Sequence, residues 1–467
     1  MRISRRTMLA ASAAIPFAGP AHAAGAVSIK LDPHRSLRAI PADYMGLGFE
    51  ASSVAMNLLS ADNHAYVRLV RNLGQQGVIR VGGNVSDFSV YDAKGQSKSL
   101  PKDTVLTAEN FRQLRTFLDA TGWKLIWGLN LGTGKLDNAV EEARAVVDAV
   151  GDRLIALEIG NEPDLFARAG HRSGTWDYAH WHGEYRRFKT AIRAVLPHVA
   201  FAGPDIAGGA MDWMEGFARD EGADIALLTA HHYITGQANP AATLETMLQE
   251  EKKYQPVLAK FQAASESIHV PWRMCETQSF SGGGKAGVSD SFAAALWALD
   301  YLFVLASYGC SGVNMETGVN HLGWISKYTP ISDDLANHYG AAPEYYGLLA
   351  FTQAARGEQI ALTCETGGIN LTAYATQQKG ATTLTVINKD MNRDATIEVA
   401  SAAALHRAQV TRLTAPSVSA LTGASLGGAT VAPDGSWSGA KSDPVRIAGG
   451  KAVLDVPAGS AALIALT

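Results

Sequence analysis

Two glutamates stand out by where the chain delivers them. Glu162 closes the run Leu157-Glu158-Ile159-Gly160-Asn161-Glu162 and directly follows an asparagine, while Glu276 closes Trp272-Arg273-Met274-Cys275-Glu276. A glutamate alone at the end of an apolar run is ordinarily a solvated cap. Two carboxyls carried to the same place can flank one glycosidic bond, one protonating the departing oxygen while the other attacks the anomeric carbon or activates water. A retaining mechanism needs such groups about 5–5.5 Å apart. The question is therefore whether the chain brings these two runs together.

The surrounding pattern says that it does. Short apolar runs at Tyr44–Glu50, Val78–Gly82, Lys124–Asn130, Leu154–Asn161, Ala200–Asp205, Ala226–Tyr233, Pro271–Glu276 and Gly312–Met315 alternate with longer stretches of helical period. Those stretches include Ala65–Leu73, Ala108–Ala120, Asn138–Val150, Trp176–Val195 and Ala242–Ala264. Alternation of this kind predicts a (β/α)8 barrel over residues 43–350, whose active site lies at the C-terminal ends of the strands. No Gly-rich dinucleotide fingerprint follows the first run, which argues against an open doubly wound sheet. The fourth and seventh strands, which carry Glu162 and Glu276, then face each other across the barrel axis. From about Phe351 the helical period stops. Short alternating runs separated by Gly, Ser, Pro and Asn predict an antiparallel β-sandwich over 351–467. An N-terminal strand within 24–42, Val27–Leu31, is placed to join it.

Strand parity assigns further roles. Glu158 shares a face with Glu162 and should point inward, where a buried charge needs a partner; Arg80 is the candidate. Arg80 either orients Glu276 or neutralises the barrel interior. Cys275 precedes Glu276 and should face the helices as a packing thiol. Trp127 is mid-strand and reads as core. His231 and His232 are adjacent on a strand, so they point to opposite faces and cannot both ligate one metal ion.

The composition sets outer limits. The chain has 467 residues, 47% hydrophobic and 18% charged, with 40 Lys+Arg against 44 Asp+Glu and a net charge of −4. This excludes a disordered or collagen-like chain and argues against nucleic-acid binding. Three cysteines without a CxxC pair specify neither a metal site nor a disulfide framework. Arg2, Arg5 and Arg6, an alanine-rich apolar stretch and Ala21-His22-Ala23 read as an export signal of twin-arginine type over residues 1–23. That stretch is too short to span a bilayer, so an exported protein, periplasmic or secreted and without a stable membrane anchor, is expected.

Ile159–Asp164 (IGNEPD), Ala230–Tyr233 (AHHY) and Glu276–Gly284 (ETQSFSGGG) together resemble glycoside hydrolase family 79, the β-glucuronidase and heparanase group. That resemblance implies Glu162 as acid/base and Glu276 as nucleophile of a retaining enzyme acting on β-glucuronosides, without cofactor or metal. It further implies that Asn161 bonds the sugar 2-hydroxyl, that Tyr233 donates to Glu276, and that Glu50 binds sugar hydroxyls. The backbone of Gly282 and Gly283 would approach the substrate carboxylate. Two positions depart from the family pattern. Ser281 precedes the glycines where relatives often carry tyrosine, and Trp324 stands where a carboxylate-binding tyrosine is expected, with Tyr328 close enough to replace it. Trp324 can instead offer a stacking surface. The alternatives are an endo-acting, heparanase-like enzyme on a sulfated polymer and a relative acting on neutral β-glycosides such as xylosides. A non-catalytic carbohydrate-binding barrel would be marked by loss of either glutamate, and both are present.

Overall fold

Eight parallel strands hydrogen-bond in the order four, three, two, one, eight, seven, six, five. They are Met45–Glu50, Val78–Gly82, Lys124–Leu129, Leu154–Ile159, Ala202–Ile206, Leu227–Gly236, Trp272–Ser281 and Val313–Glu316. A bridge between Leu157 and Phe201 brings the fourth and fifth strands together and rounds the sheet into a barrel. This computed structural model describes residues 25–97, 104–249, 254–318 and 323–467. The leader expected over 1–23 lies outside the described residues.

Local sequence explains why the elements start and stop where they do. The helix Ala108–Thr121 opens on a reciprocal cap between Thr107 and Asn110 and closes on Gly122, whose φ of 81° suits only a residue without Cβ. The helical stretch expected over Ala242–Ala264 divides instead into Leu244–Leu248 and Gln255–Ile268, the latter with Pro256 in its first turn. Proline lacks the N–H that a continuing helix would need, but fits a helix start. Two helices carried no helical period in the sequence. Phe292–Ser307 and Pro343–Ala354 are buried over almost their whole circumference, and a helix apolar all round shows no periodicity.

The second domain is one continuous sheet of eleven strands folded over a shared core. Its core gathers Val27, Ile29, Ile360, Leu384, Ile397, Val410, Leu454 and Ile464. The N-terminal strand, Gly25–Ala39, lies inside this sheet, antiparallel to Glu358–Glu365 and parallel to Ala395–Ser401. The sandwich is thus not wholly antiparallel. The two domains meet across Asp300 of Phe292–Ser307, which accepts from Thr372 Oγ1 (2.6 Å) and Tyr374 Oη (2.7 Å) and pairs with Lys389.

Candidate active site

The barrel mouth is organised around Arg80, a fully buried side chain on the second strand. Its Nε donates to Glu158 Oε2 (3.0 Å), its Nη1 to Glu276 Oε2 (2.8 Å), and its Nη2 to Asn161 Oδ1 (3.0 Å) and to Asp205. Gly82 leaves the space that the guanidinium fills: a Cβ there would lie 2.4 Å from Arg80 Cζ. Arg80 therefore does both of the things its position allowed. It neutralises the interior and it fixes Glu276.

Glu276 is held from two sides. Besides Arg80, Tyr233 Oη donates to Glu276 Oε1 at 2.8 Å. Both carboxylate oxygens thus face donors, which fixes the orientation of the group. Glu162 follows Gly160 and Asn161 beyond the fourth strand in a left-handed conformation, φ 48°. A non-glycine residue held there costs roughly 1–2 kcal/mol and marks a constrained site. Its N–H donates to the backbone carbonyl of Asp205 (3.0 Å), itself at φ 60° where the fifth strand bulges.

His231 connects the two halves. Fully buried, it shares one hydrogen bond with Asp205 Oδ1 (2.8 Å, through Nε2) and another with Glu162 Oε1 (3.1 Å, through Nδ1). Burial alone would push the imidazole down, but the carboxylates of Asp205 and Glu276 outweigh it and hold the ring protonated well above the ordinary histidine range. One oxygen of Glu162, one of Glu276 and a His231 nitrogen lie within 4.8 Å of one another. Such a trio has the spacing of a metal site. A protonated ring engaged at both nitrogens, however, has no lone pair to give, so the cluster as found suits proton chemistry better than ligation. His232 points outward and stacks on Tyr254 at 3.5 Å.

Buried carboxyls outnumber cations here, and the excess is settled by protonation. Asp205 is pulled down to about 2, because Arg80 and His231 overcome the desolvation that would raise it. Glu158 is pushed up to about 7 by burial and by Asp205; of this pair Asp205 keeps the charge. Glu316, at the end of the eighth strand, is pushed up to about 7 by burial and the nearby Glu276. Glu50 is also raised well above the ordinary glutamate range, through burial and Glu316, although its Oε2 accepts from Val85 N at 2.8 Å.

The remaining candidates form one rim. Gly282, Gly283 and Gly284 all have left-handed φ (78°, 94° and 80°). Trp324, 38% exposed, covers Gly283, where an added Cβ would meet its ring at 2.5 Å. The space expected for a substrate carboxylate over Gly283 is therefore bordered by an indole in this conformation. Tyr328 is buried, with its ring 6.1 Å from that of Tyr233. Trp127 faces the helices and donates to Glu142 Oε1 (2.8 Å), so it is core.

Cys275 needs correction. It packs with Val78, Ile126, Ala156 and Ala202, the inward positions below Arg80 and Glu158, rather than against the helices. The register between the sixth and seventh strands slips between Met274 and Glu276, so Cys275 and Glu276 are not on opposite faces. Asp205 and Glu316 escaped the reading of the sequence, and His231 was weighed only as a ligand. Asp205 had a signal: a polar residue at a strand mouth after Gly203-Pro204, a pair that a regular inner strand does not carry.

The profile of the Glycosyl hydrolase family 79 C-terminal beta domain matches residues 369–463. A β-glucuronidase of Aspergillus niger is 28% identical over 309 residues, 59% of this chain and 56% of that protein. The heparanase of Bos taurus is 25% identical over 50% of this chain and 52% of its own length. The chain thus spans little more than half the length of these curated relatives. Among solved structures, a 4-O-α-L-rhamnosyl-β-D-glucuronidase of Fusarium oxysporum superposes with a TM-score of 0.75 at 18% identity, covering 94% of this chain and all of that one.

Proposed function

We propose that this chain is a glycoside hydrolase family 79 enzyme, a retaining β-glucuronidase that works by double displacement. The observation that carries the reading is the approach of Glu162 and Glu276, whose nearest oxygens lie within 4.8 Å. An inverting pair would stand about 6.5–9.5 Å apart to admit water between substrate and base.

In this reading Glu276, oriented by Arg80 and Tyr233, attacks the anomeric carbon. Glu162, seated on His231, protonates the departing oxygen and then takes a proton from the water that releases the sugar. Asn161, fixed by Arg80, faces the 2-hydroxyl, and Glu50 takes hydroxyls at the closed end. The left-handed glycines support uronate binding, since successive N–H groups in such a turn form a concavity for an anion. Trp324 over Gly283 supports a second reading, a neutral β-glycoside such as a xyloside. The sequences named β-glucuronidase and heparanase among the relatives favour the uronate. The twin-arginine-type leader supports action outside the cytoplasm.

Two experiments test this. A panel of chromogenic β-glucuronide, β-xyloside and β-galactoside should show preference for the first, and turnover of the xyloside alone overturns it. For the mechanism, Glu162→Ala with an activated aryl glycoside and azide should give the β-azide, while Glu276→Ala should give the α-azide. NMR of the anomeric proton distinguishes them, and exchanged products would reverse the two roles.

A further inference from the structure

Among the buried carboxyls that the catalytic roles above leave without a part, Asp87 is held by backbone donors alone. Asp87 lies just after the short helix Gly83–Ser86 that follows the second strand, and it is 1% exposed. Its Oδ1 accepts from Leu131 N (3.0 Å) and Gly132 N (2.7 Å), beyond the third strand. Its Oδ2 accepts from Asn161 N (3.0 Å), beyond the fourth. One side chain thus ties the ends of three successive strands together through three backbone donors. Among the described residues no cationic side chain pairs with it. Burying an unpaired carboxylate is costly, and here it is pushed up to about 7 by that burial against the pull of its three donors.

What Asp87 holds is the segment that aims the acid/base. Gly160 (φ 84°) and Glu162 (φ 48°) are both left-handed, with Asn161 between them. The N–H of Asn161 goes to the Asp87 carboxylate and the next N–H, of Glu162, goes to the Asp205 carbonyl. Two consecutive donors are therefore pinned by two aspartates, Asp87 beyond the second strand through its side chain and Asp205 in the fifth through its backbone. Glycine at 132 is part of the same fit: a Cβ there would lie 2.6 Å from Asp87 Cβ. A left-handed glutamate does not hold itself in place, so something outside the segment must.

We propose that Asp87 is a positioning residue for the acid/base, pinning the turn at Asn161 so that Glu162 meets the leaving-group oxygen. This rests on the assignment of Glu162 above. Asp87→Asn keeps the shape but exchanges one acceptor for an NH2 that must face a backbone N–H. Misplacing an acid by about 1 Å costs on the order of a hundredfold, yet only where protonation of the leaving group matters.

The test is a series of aryl β-glucuronides whose leaving phenols range from strongly to weakly acidic. In Asp87→Asn, kcat/KM should fall about a hundredfold for the poorest leaving group and within about threefold for the best, steepening the dependence on leaving-group pKa. A thermal melt run alongside measures loss of fold, which would lower all substrates equally. An equal drop across the series, or an unchanged slope, overturns the proposal. If the Asn variant does not fold, Asp87→Ser, smaller and still an acceptor, is read by the same slope. If wild-type enzyme ignores glucuronides, the functional reading fails instead, and the series is repeated on the glycoside that it does hydrolyse.

Discussion

Among the described residues the barrel buries two arginines, Arg80 and Arg273, and they live in opposite surroundings. Arg80, at the mouth, is faced by Glu158, Asp205 and Glu276. Arg273, at the foot, is faced by neutral acceptors: Asn314 Oδ1 (2.7 Å) and the carbonyls of Tyr44 (3.2 Å), Asp43 and Val313 (both 3.4 Å). Burial would lower both. Carboxylates reverse the effect at Arg80 and raise it, while Arg273 is lowered. Glycines make room for each: a Cβ at Gly312 would fall 1.8 Å from Arg273 Nη1. The same residue type thus closes the bottom as a plug and runs the top as an electrostatic hub. What separates function from scaffold is the company of the charge, rather than the charge.

The sharpest way to break this contrast is to remove both in turn. Arg80→Met leaves three buried carboxyls without their cation, and should cost about 3–5 kcal/mol of stability. It should also reduce kcat/KM by about a thousandfold, because Glu276, the proposed nucleophile, loses its fixed partner. Arg273→Met strands only neutral acceptors and should cost about 1–3 kcal/mol, with kcat/KM within a few-fold of wild type. Denaturant unfolding and steady-state kinetics check both. Equal kinetic damage would show that the foot of the barrel is part of the machinery.

A gentler probe uses pH. Glu316 ionises in the unfolded chain near the ordinary glutamate value, but in the folded barrel only at about 7. Between those points the native state holds a proton that the unfolded state has lost, so stability falls as pH rises and levels off above about 7. Glu316→Gln should remove its share of that decline, gaining on the order of 3 kcal/mol at pH 8 relative to its effect at pH 4. Unfolding curves across this range suffice, and a parallel decline in variant and wild type would show that Glu316 is charged throughout. The smallest effect belongs to Cys275, in the apolar layer between the arginines. Cys275→Ala should cost about 1 kcal/mol and leave the kinetics unchanged. A large kinetic loss would mean that the mouth and the foot communicate through that layer.

How far the sequence could be read follows the same division. The eight strands were legible because fully buried parallel strands appear as compact apolar runs, and Glu162 and Glu276 were legible because they end two of them. Pairing of Glu158 with Arg80 followed from parity. Parity failed at Cys275 and passed over Asp205, since both sit where the ladder slips register, and a slip leaves no period to detect. His231 and His232 were legible only as a pair on opposite faces, and the role of His231 depends on Asp205 and Glu162 arriving from other strands. The strand Glu358–Glu365 went unseen because Ile360-Ala361-Leu362 interrupts the alternation of polar and apolar residues. Asp87 had no local mark at all, since its partners are backbone groups whose identity no side chain encodes.

The N-terminal strand has a consequence for how the molecule can be made. Ser28 is opposite Glu365 on one side and Glu398 on the other, so an interior position of the second sheet is filled by a segment synthesised long before the rest. Such contacts span most of the chain and raise the contact order, which slows folding. A fragment beginning after the barrel would expose two unsatisfied strand edges in mid-sheet, ready to recruit another chain. Dissection into separate domains therefore has to carry residues 25–39 with the C-terminal piece, and a circular permutant joining the two termini would shorten the longest loop that folding has to close.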